Sequence, residues 1–170
     1  SEFKSAEVAI EFTSPESALH NYRRAFAAGV PVVSGTTGWL AHLDEIKEAC
    51  EKNGRTFFYA SNFSLGVNIF FALNNYLAKL MNRYPDYDVR MEETHHIHKL
   101  DAPSGTALML ADAIAPVMEE ADPVYVYERH SKREKRRKNE IGLHSIRGGT
   151  MVGEHEVLFA GRDEVVSLTH

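Results

Sequence analysis

Residues His95 to Thr106, HHIHKLDAPSGT, crowd together groups that carry protons and groups that hold anions. His95, His96 and His98 fall within one short run, Lys99 follows at once, and Ser104-Gly105-Thr106 closes the stretch. Histidine titrates near neutral pH, which suits a general acid or base. Pro103 pushes Ala102 into an extended conformation and ends any regular element there. Ser104 is a good N-cap, so Gly105 and Thr106 fall in a first helical turn, where N–H groups have no intrahelical partner. That turn is the positive end of a helix dipole and favours an anion. Gly105 places no side chain in the way, Thr106 adds a hydroxyl and Lys99 a full charge. The stretch is expected to hold a carboxylate or phosphate beside a proton carrier.

Two rival readings use the same residues. In the plainer one, Ser104 merely caps a helix and the histidines are solvated. In the other, His95 and His98 bind zinc with His144 or His155 as a third ligand. No cysteine or carboxylate stands at a supporting interval and Lys99 would repel a cation, so no metal is expected.

A second motif, Ser34-Gly35-Thr36-Thr37-Gly38-Trp39, lies between an apolar run and a helical pattern. Ligands of doubly wound sheets sit at the carboxyl ends of the strands. Phe12-Thr13-Ser14 and Ala60-Ser61-Asn62-Phe63 end the neighbouring runs on the same side, which points to a cofactor edge.

The elements that must position these residues alternate in type. Val8–Ile10, Val30–Val33 and Thr56–Ala60 have the pattern of short buried strands. Between them come helices from Ser14 to Ala28, stopped by Gly29, and from Leu40 to Lys52, stopped by Gly54. This order implies parallel strands with right-handed crossovers. The pattern then changes. Ser64 can cap a long helix whose inward face is expected to be Leu65, Ile69, Leu73, Leu77 and Leu80. Tyr87–Met91 is expected as strand. A helix from about Gly105 to Glu119 should turn Leu108, Ala111, Ala115 and Met118 inward. Val124–Tyr127, Ile141–Ile146, Glu156–Phe159 and Val165–Thr169 complete a strand-rich unit. The fold class is α/β: part of a Rossmann-type doubly wound parallel sheet over residues 1–62, then an α+β unit with a mixed sheet over 63–170, the boundary falling near Ser61–Phe63.

Composition excludes several classes. The 170-residue chain is 44% hydrophobic, enough for a real core. A net charge of −5 argues against general nucleic-acid binding. Cys50 is the one cysteine, so no internal disulfide forms, and a reducing cytoplasm fits. No apolar run approaches the ~20 residues that span a bilayer, and no signal peptide is visible. Lys132–Lys138, KREKRRK, lacks interleaved aromatics and is expected to be a solvated, mobile loop between strands.

The motifs together carry a family resemblance. HHIHKLDAPSGTA resembles the signature of the dihydrodipicolinate (4-hydroxy-tetrahydrodipicolinate) reductases of lysine and diaminopimelate biosynthesis. FTSPE from Phe12, SGTTGW from Ser34, SNFSLGVN from Ser61 and RGGTMVGEH from Arg147 agree in order. The resemblance implies that NADH or NADPH gives a hydride to a cyclic dicarboxylated imine-type substrate, with loss of water. By position it implies His95 as general acid/base and Lys99 as proton donor or carboxylate anchor. His96, Gly105 and Thr106 resemble substrate-binding residues. Phe12, Gly35, Thr36 and Thr37 resemble the loops beside the nicotinamide. Ala60, Ser61, Asn62 and Phe63 resemble a second cofactor segment and hinge. It also implies a homotetramer assembled through the sheets of the substrate domains. No G-x-G-x-x-G occurs, so the chain is expected to start after the family's pyrophosphate loop and to stop before its arginine-containing stretch and last helix. The alternative is an inactive anion- or metal-binding module that keeps the fold.

Overall fold

Short apolar runs broken by capped helices give the first unit, Ser1–Ser64. The structure, a computed structural model, describes residues 5–118, 122–131 and 133–170. Strands β1 (Ala9–Glu11), β2 (Val32–Ser34) and β3 (Phe57–Tyr59) pair in parallel in that order, with Ala9 opposite Val32 and Val32 opposite Phe57. Helix α1 (Pro15–Ala27) starts at Ser14 with Pro15 in its first turn, and Gly29 follows it at φ +75°. Helix α2 (Leu43–Asn53) is shorter than expected, because Leu40–His42 forms a 3-10 turn, and it ends on Gly54 at φ +61°. Strand β2 begins two residues later than expected: Pro31 has no N–H for a ladder, although its carbonyl still accepts from Ala9 N at 2.8 Å. Tyr22, Trp39 and Val32 fill the core with Ala18, Ala25 and Ile46. Tyr22, Trp39 and Phe57 meet edge-on at ring separations of 4.9–5.4 Å.

The second unit, Leu65–His170, carries a mixed sheet. Its helices are α3 (Leu65–Met81) and α4 (Gly105–Ile114), and its strands β4 (Asp88–His95), β5 (Val124–Val126), β6 (Glu140–Arg147), β7 (Glu154–Ala160) and β8 (Val165–Thr169). The order is β5-β6-β4-β7-β8, with β5, β6 and β4 parallel and β7 and β8 antiparallel to their neighbours. Met91, Leu143 and Val157 lie abreast on the face that packs against Leu110, Ala111 and Ile114.

Three expectations change here. Helix α3 buries Val67, Phe70, Asn74 and Ala78, while Leu65, Ile69, Leu73 and Leu80 are exposed, Leu65 at 76%. Because α3 is apolar nearly all round, leucine spacing cannot select its face. The choice follows Asn74, whose amide donates to the Leu110 carbonyl at 3.1 Å and joins α3 to α4. In α4, Ala107, Leu110 and Ile114 are buried with Ala111, whereas Leu108, Ala115 and Met118 are half-buried at the margin. Pro116 has no N–H for an α-helical bond, and the α4 helix gives way to a 3-10 turn at Ala115–Val117; Glu119 lies outside the described residues. The basic run is also docked in part. Arg136 reaches Asp88 and the carbonyls of Val89 and Glu140, and Lys138 donates to the Pro85 carbonyl at 2.8 Å. Lys132 lies outside the described residues. Among the described residues, no helix is long and apolar enough to cross a membrane.

Candidate active site

Strand β4 runs four residues beyond its expected end, so His95 is the last residue of a central strand rather than part of a loop. Alternation on β4 turns Val89, Met91, Glu93 and His95 to the buried face. Glu93 is only 1% exposed, and its Oε2 lies 2.5 Å from His95 Nδ1. Its other oxygen accepts from Arg147 Nη2 at 2.8 Å and from the backbone N–H of Ser104 at 3.3 Å. Burial alone would raise the Glu93 pKa. Hydrogen bonds from Arg147 and Ser145, with the charges of Arg147 and His95, outweigh it and hold the carboxyl below its usual range.

Arg147 ends β6, directly opposite His95 in the ladder. It also donates to the Asp101 and Ile146 carbonyls at 2.7 Å. His155, on β7, lies edge-on to His95 at 5.0 Å, with Nε2 2.9 Å from the Ser104 hydroxyl. Burial first, then the charges of His95, His170 and Lys99, press the His155 pKa down to about 4 against the pull of Glu93.

Ser104 caps α4 as expected: its hydroxyl oxygen accepts from Ala107 N at 3.2 Å. Gly105 is exposed, and a Cβ there would meet open space. Thr106 and His96 are half-buried, and His98 is exposed. Lys99 is paired with Asp101 at 2.8 Å, so an incoming anion competes with that carboxylate. Among the described residues, the ligand-spaced group is Glu93, His95 and His155, whose donor atoms lie within 4.8 Å of one another; of the expected zinc set it holds His95 and His155 but neither His98 nor His144. A carboxylate does therefore stand at a supporting interval, but Arg147 already neutralises it.

The first unit gathers its expected residues at the carboxyl ends of its strands. Gly35 N donates to the Glu11 carbonyl at 2.9 Å and Ala60 N to the Ser34 carbonyl at 3.2 Å. Thr36 is committed to structure: its hydroxyl accepts from Thr13 N at 2.8 Å and its carbonyl from Trp39 Nε1 at 2.7 Å. Thr37 and Ser61 are exposed. The Asn62 side chain accepts from Ser64 N at 2.8 Å. The Phe12 ring lies so close over Gly35 that a Cβ there would come within 2.0 Å of it. Phe12 and Phe58 are exposed and flank Phe63 at 5.5 and 5.9 Å, an aromatic ledge suited to a flat ring. Glu11, next to Phe12 at the end of β1, is buried. It accepts from Thr13, Ser34 and Asn21, and Ser34 also meets Tyr22 Oη at 2.6 Å. Glu93, Glu11 and Tyr22 were not singled out from the sequence, and Arg147 only as the start of a motif; for the two glutamates, polar residues at inward positions of a strand were the available signal, whereas Tyr22 sits on α1.

The model described as "Dihydrodipicolinate reductase, N-terminus" matches residues 1–63, and that described as "Dihydrodipicolinate reductase, C-terminus" matches residues 66–170. The chain belongs to the dihydrodipicolinate reductase family. A 4-hydroxy-tetrahydrodipicolinate reductase of Christiangramia forsetii is 42% identical over 96% of this chain and 66% of its own length. One from Staphylococcus aureus is 45% identical over 98% of this chain and 66% of its own length. The chain thus spans just under two thirds of these curated relatives. A solved structure, dipicolinate-bound dihydrodipicolinate reductase from Paenisporosarcina sp. TG-14, superposes with a TM-score of 0.65 at 29% identity, covering 96% of this chain and 61% of that one. The α/β class with one parallel and one mixed sheet is that of the family.

Proposed function

We propose that this protein reduces 4-hydroxy-tetrahydrodipicolinate to tetrahydrodipicolinate in lysine and diaminopimelate biosynthesis, as a cytoplasmic homotetramer. The observation that carries the reading is the buried Glu93–His95 pair at the end of β4, beside Lys99 and the start of α4. Dipicolinate, bound in the Paenisporosarcina structure, is a flat dicarboxylate of the kind these donors suit. A nicotinamide dinucleotide supplies a hydride when bound, and NADH or NADPH fits the aromatic ledge and strand ends formed by Phe12, Gly35, Thr36, Thr37 and Ala60–Phe63. The net reaction takes up one proton and releases one water.

The chain's own residues do the rest. Lys99 and the N–H groups of Gly105 and Thr106 hold substrate carboxylates from two sides, with His96 beside them. His95, oriented through Nδ1 by Glu93, holds the proton at its ring. In active protein, His95→Gln should lower kcat by about 10²–10⁴-fold with a much smaller change in KM. An unchanged kcat would remove His95 as the acid.

A further inference from the structure

We propose that Glu93, braced by Arg147, and Gly153 are positioning residues that hold the His95 imidazole with Nδ1 on the carboxylate and Nε2 over the Gly153 backbone. This rests on the reading of His95 as the proton carrier, and it concerns residues to which that reading gives no role of their own.

Three observations converge on the ring. First, Glu93 has no freedom to turn away. Its Oε1 is held by Arg147 at 2.8 Å and by Ser104 N at 3.3 Å, so Oε2 is left in ion-pair contact with His95 Nδ1 at 2.5 Å, out of line for a hydrogen bond. Second, Arg147 is itself pinned by the carbonyls of Ile146 and Asp101, both at 2.7 Å. The brace therefore joins the ends of β4 and β6 to the loop before α4. Third, the opposite edge of the ring rests on Gly153: a Cβ there would lie 2.8 Å from His95 Nε2 and 3.0 Å from Cδ2. Such contacts do not occur without a shift, and the ring cannot swing freely with Nδ1 against a fixed carboxylate. The groups around His95 are Glu93 on its own strand, Arg147 on β6, and His155 on β7, the last edge-on at 5.0 Å.

A carboxylate held against one ring nitrogen favours, through its charge, the tautomer with the proton there, and thus sets what the other nitrogen offers. Glu93→Gln keeps the size and an acceptor for Arg147 and Ser104, but removes that selection. Gly153→Ala leaves Glu93 intact and displaces the ring.

The test uses active protein labelled with 15N at histidine. In the parent, His95 should show one Nδ1-protonated tautomer. In Glu93→Gln its two ring-nitrogen shifts should move towards each other as tautomers mix, and kcat should fall at least tenfold with KM within about threefold. Gly153→Ala should give the same kinetic split and altered His95 shifts with the tautomer kept, which secures the test if Glu93→Gln does not fold. His95 shifts and kcat within twofold of the parent in both variants would overturn the proposal. Moved shifts together with a normal kcat in His95→Gln would instead overturn the acid assignment and leave the positioning intact.

Discussion

His155 should make the second unit acid-sensitive well above the range where carboxylates protonate. An unfolded histidine titrates near ~6.5, whereas His155 in the fold is pressed down to about 4 by burial and by the neighbouring His95, His170 and Lys99. Its folded-state pKa is therefore depressed. The unfolded chain takes the proton first, so the contribution is fully present above pH ~6.5 and is lost as the pH falls towards 4. For one site with these two values, about 2 kcal/mol disappears between pH 7 and pH 5, a factor of roughly twenty in the folding equilibrium. The carboxylate of Glu93, also depressed, adds its own loss only below its usual range near 4.5, so the window above pH 5 isolates the histidine.

The measurement is urea unfolding at several pH values for the parent and for His155→Gln, whose side chain stays neutral throughout. Trp39, the single tryptophan, lies in the first unit, so its fluorescence is the wrong probe. NMR intensities of the Val157 and Leu143 amides follow the correct sheet. The stability difference between parent and variant should shrink by about 2 kcal/mol from pH 7 to pH 5. Curves that stay parallel to within about 0.5 kcal/mol would refute the buried, neutral His155.

Three further outcomes follow from named contacts. Lys99→Ala should weaken pyridine-2,6-dicarboxylate binding at least about tenfold, since a charged hydrogen bond is worth roughly 1.5–3 kcal/mol; equal dissociation constants by calorimetry would remove Lys99 from the anion site. Arg136→Ala strips bonds from Asp88 and two carbonyls and should lower unfolding stability by about 1–3 kcal/mol, whereas an unmoved urea midpoint would return 132–138 to a purely solvated loop. Tyr22→Phe removes the hydroxyl that meets Ser34 and should cost the first unit about 1 kcal/mol, read through Trp39 fluorescence, with no change arguing that Ser34 and Glu11 satisfy each other alone.

Most of the first unit was legible because its punctuation is local. Pro15, Gly29 and Gly54 set helix ends by backbone chemistry that needs no partner, and the apolar runs between them have no other use than a parallel sheet. Helix α3 was legible as a helix but not in its orientation. With leucines on several faces, its buried side was decided by Asn74 finding Leu110 on another helix, a tertiary contact that periodicity does not contain. The stretch from His95 to Thr106 stood out through residue types at close spacing. What it did not announce was that His95 ends a strand, because Glu92, Glu93 and Thr94 look too polar for the middle of a sheet.

That misreading has a physical source shared by both units. Each carries a buried glutamate at or near the end of a strand, Glu11 as the last residue of β1 and Glu93 two residues before the end of β4, at a position where an isolated carboxylate would cost several kcal/mol. Each stays ionised by a different route. Glu93 is paired with Arg147, whose position in sequence is far away and whose role appears only when β6 lies beside β4. Glu11 has no cation partner in the described ion pairs; hydroxyl and amide donors from Thr13, Thr36, Ser34 and Asn21 outweigh its burial and lower its pKa. Those donors come from the loop after β1, from α1, from β2 and from the loop after β2, so the carboxylate ties the ends of the first two strands together. In both units the charge is tolerated because donors or a cation from neighbouring elements satisfy it. A polar residue at an inward position is then compatible with a strand and does not by itself mark a loop.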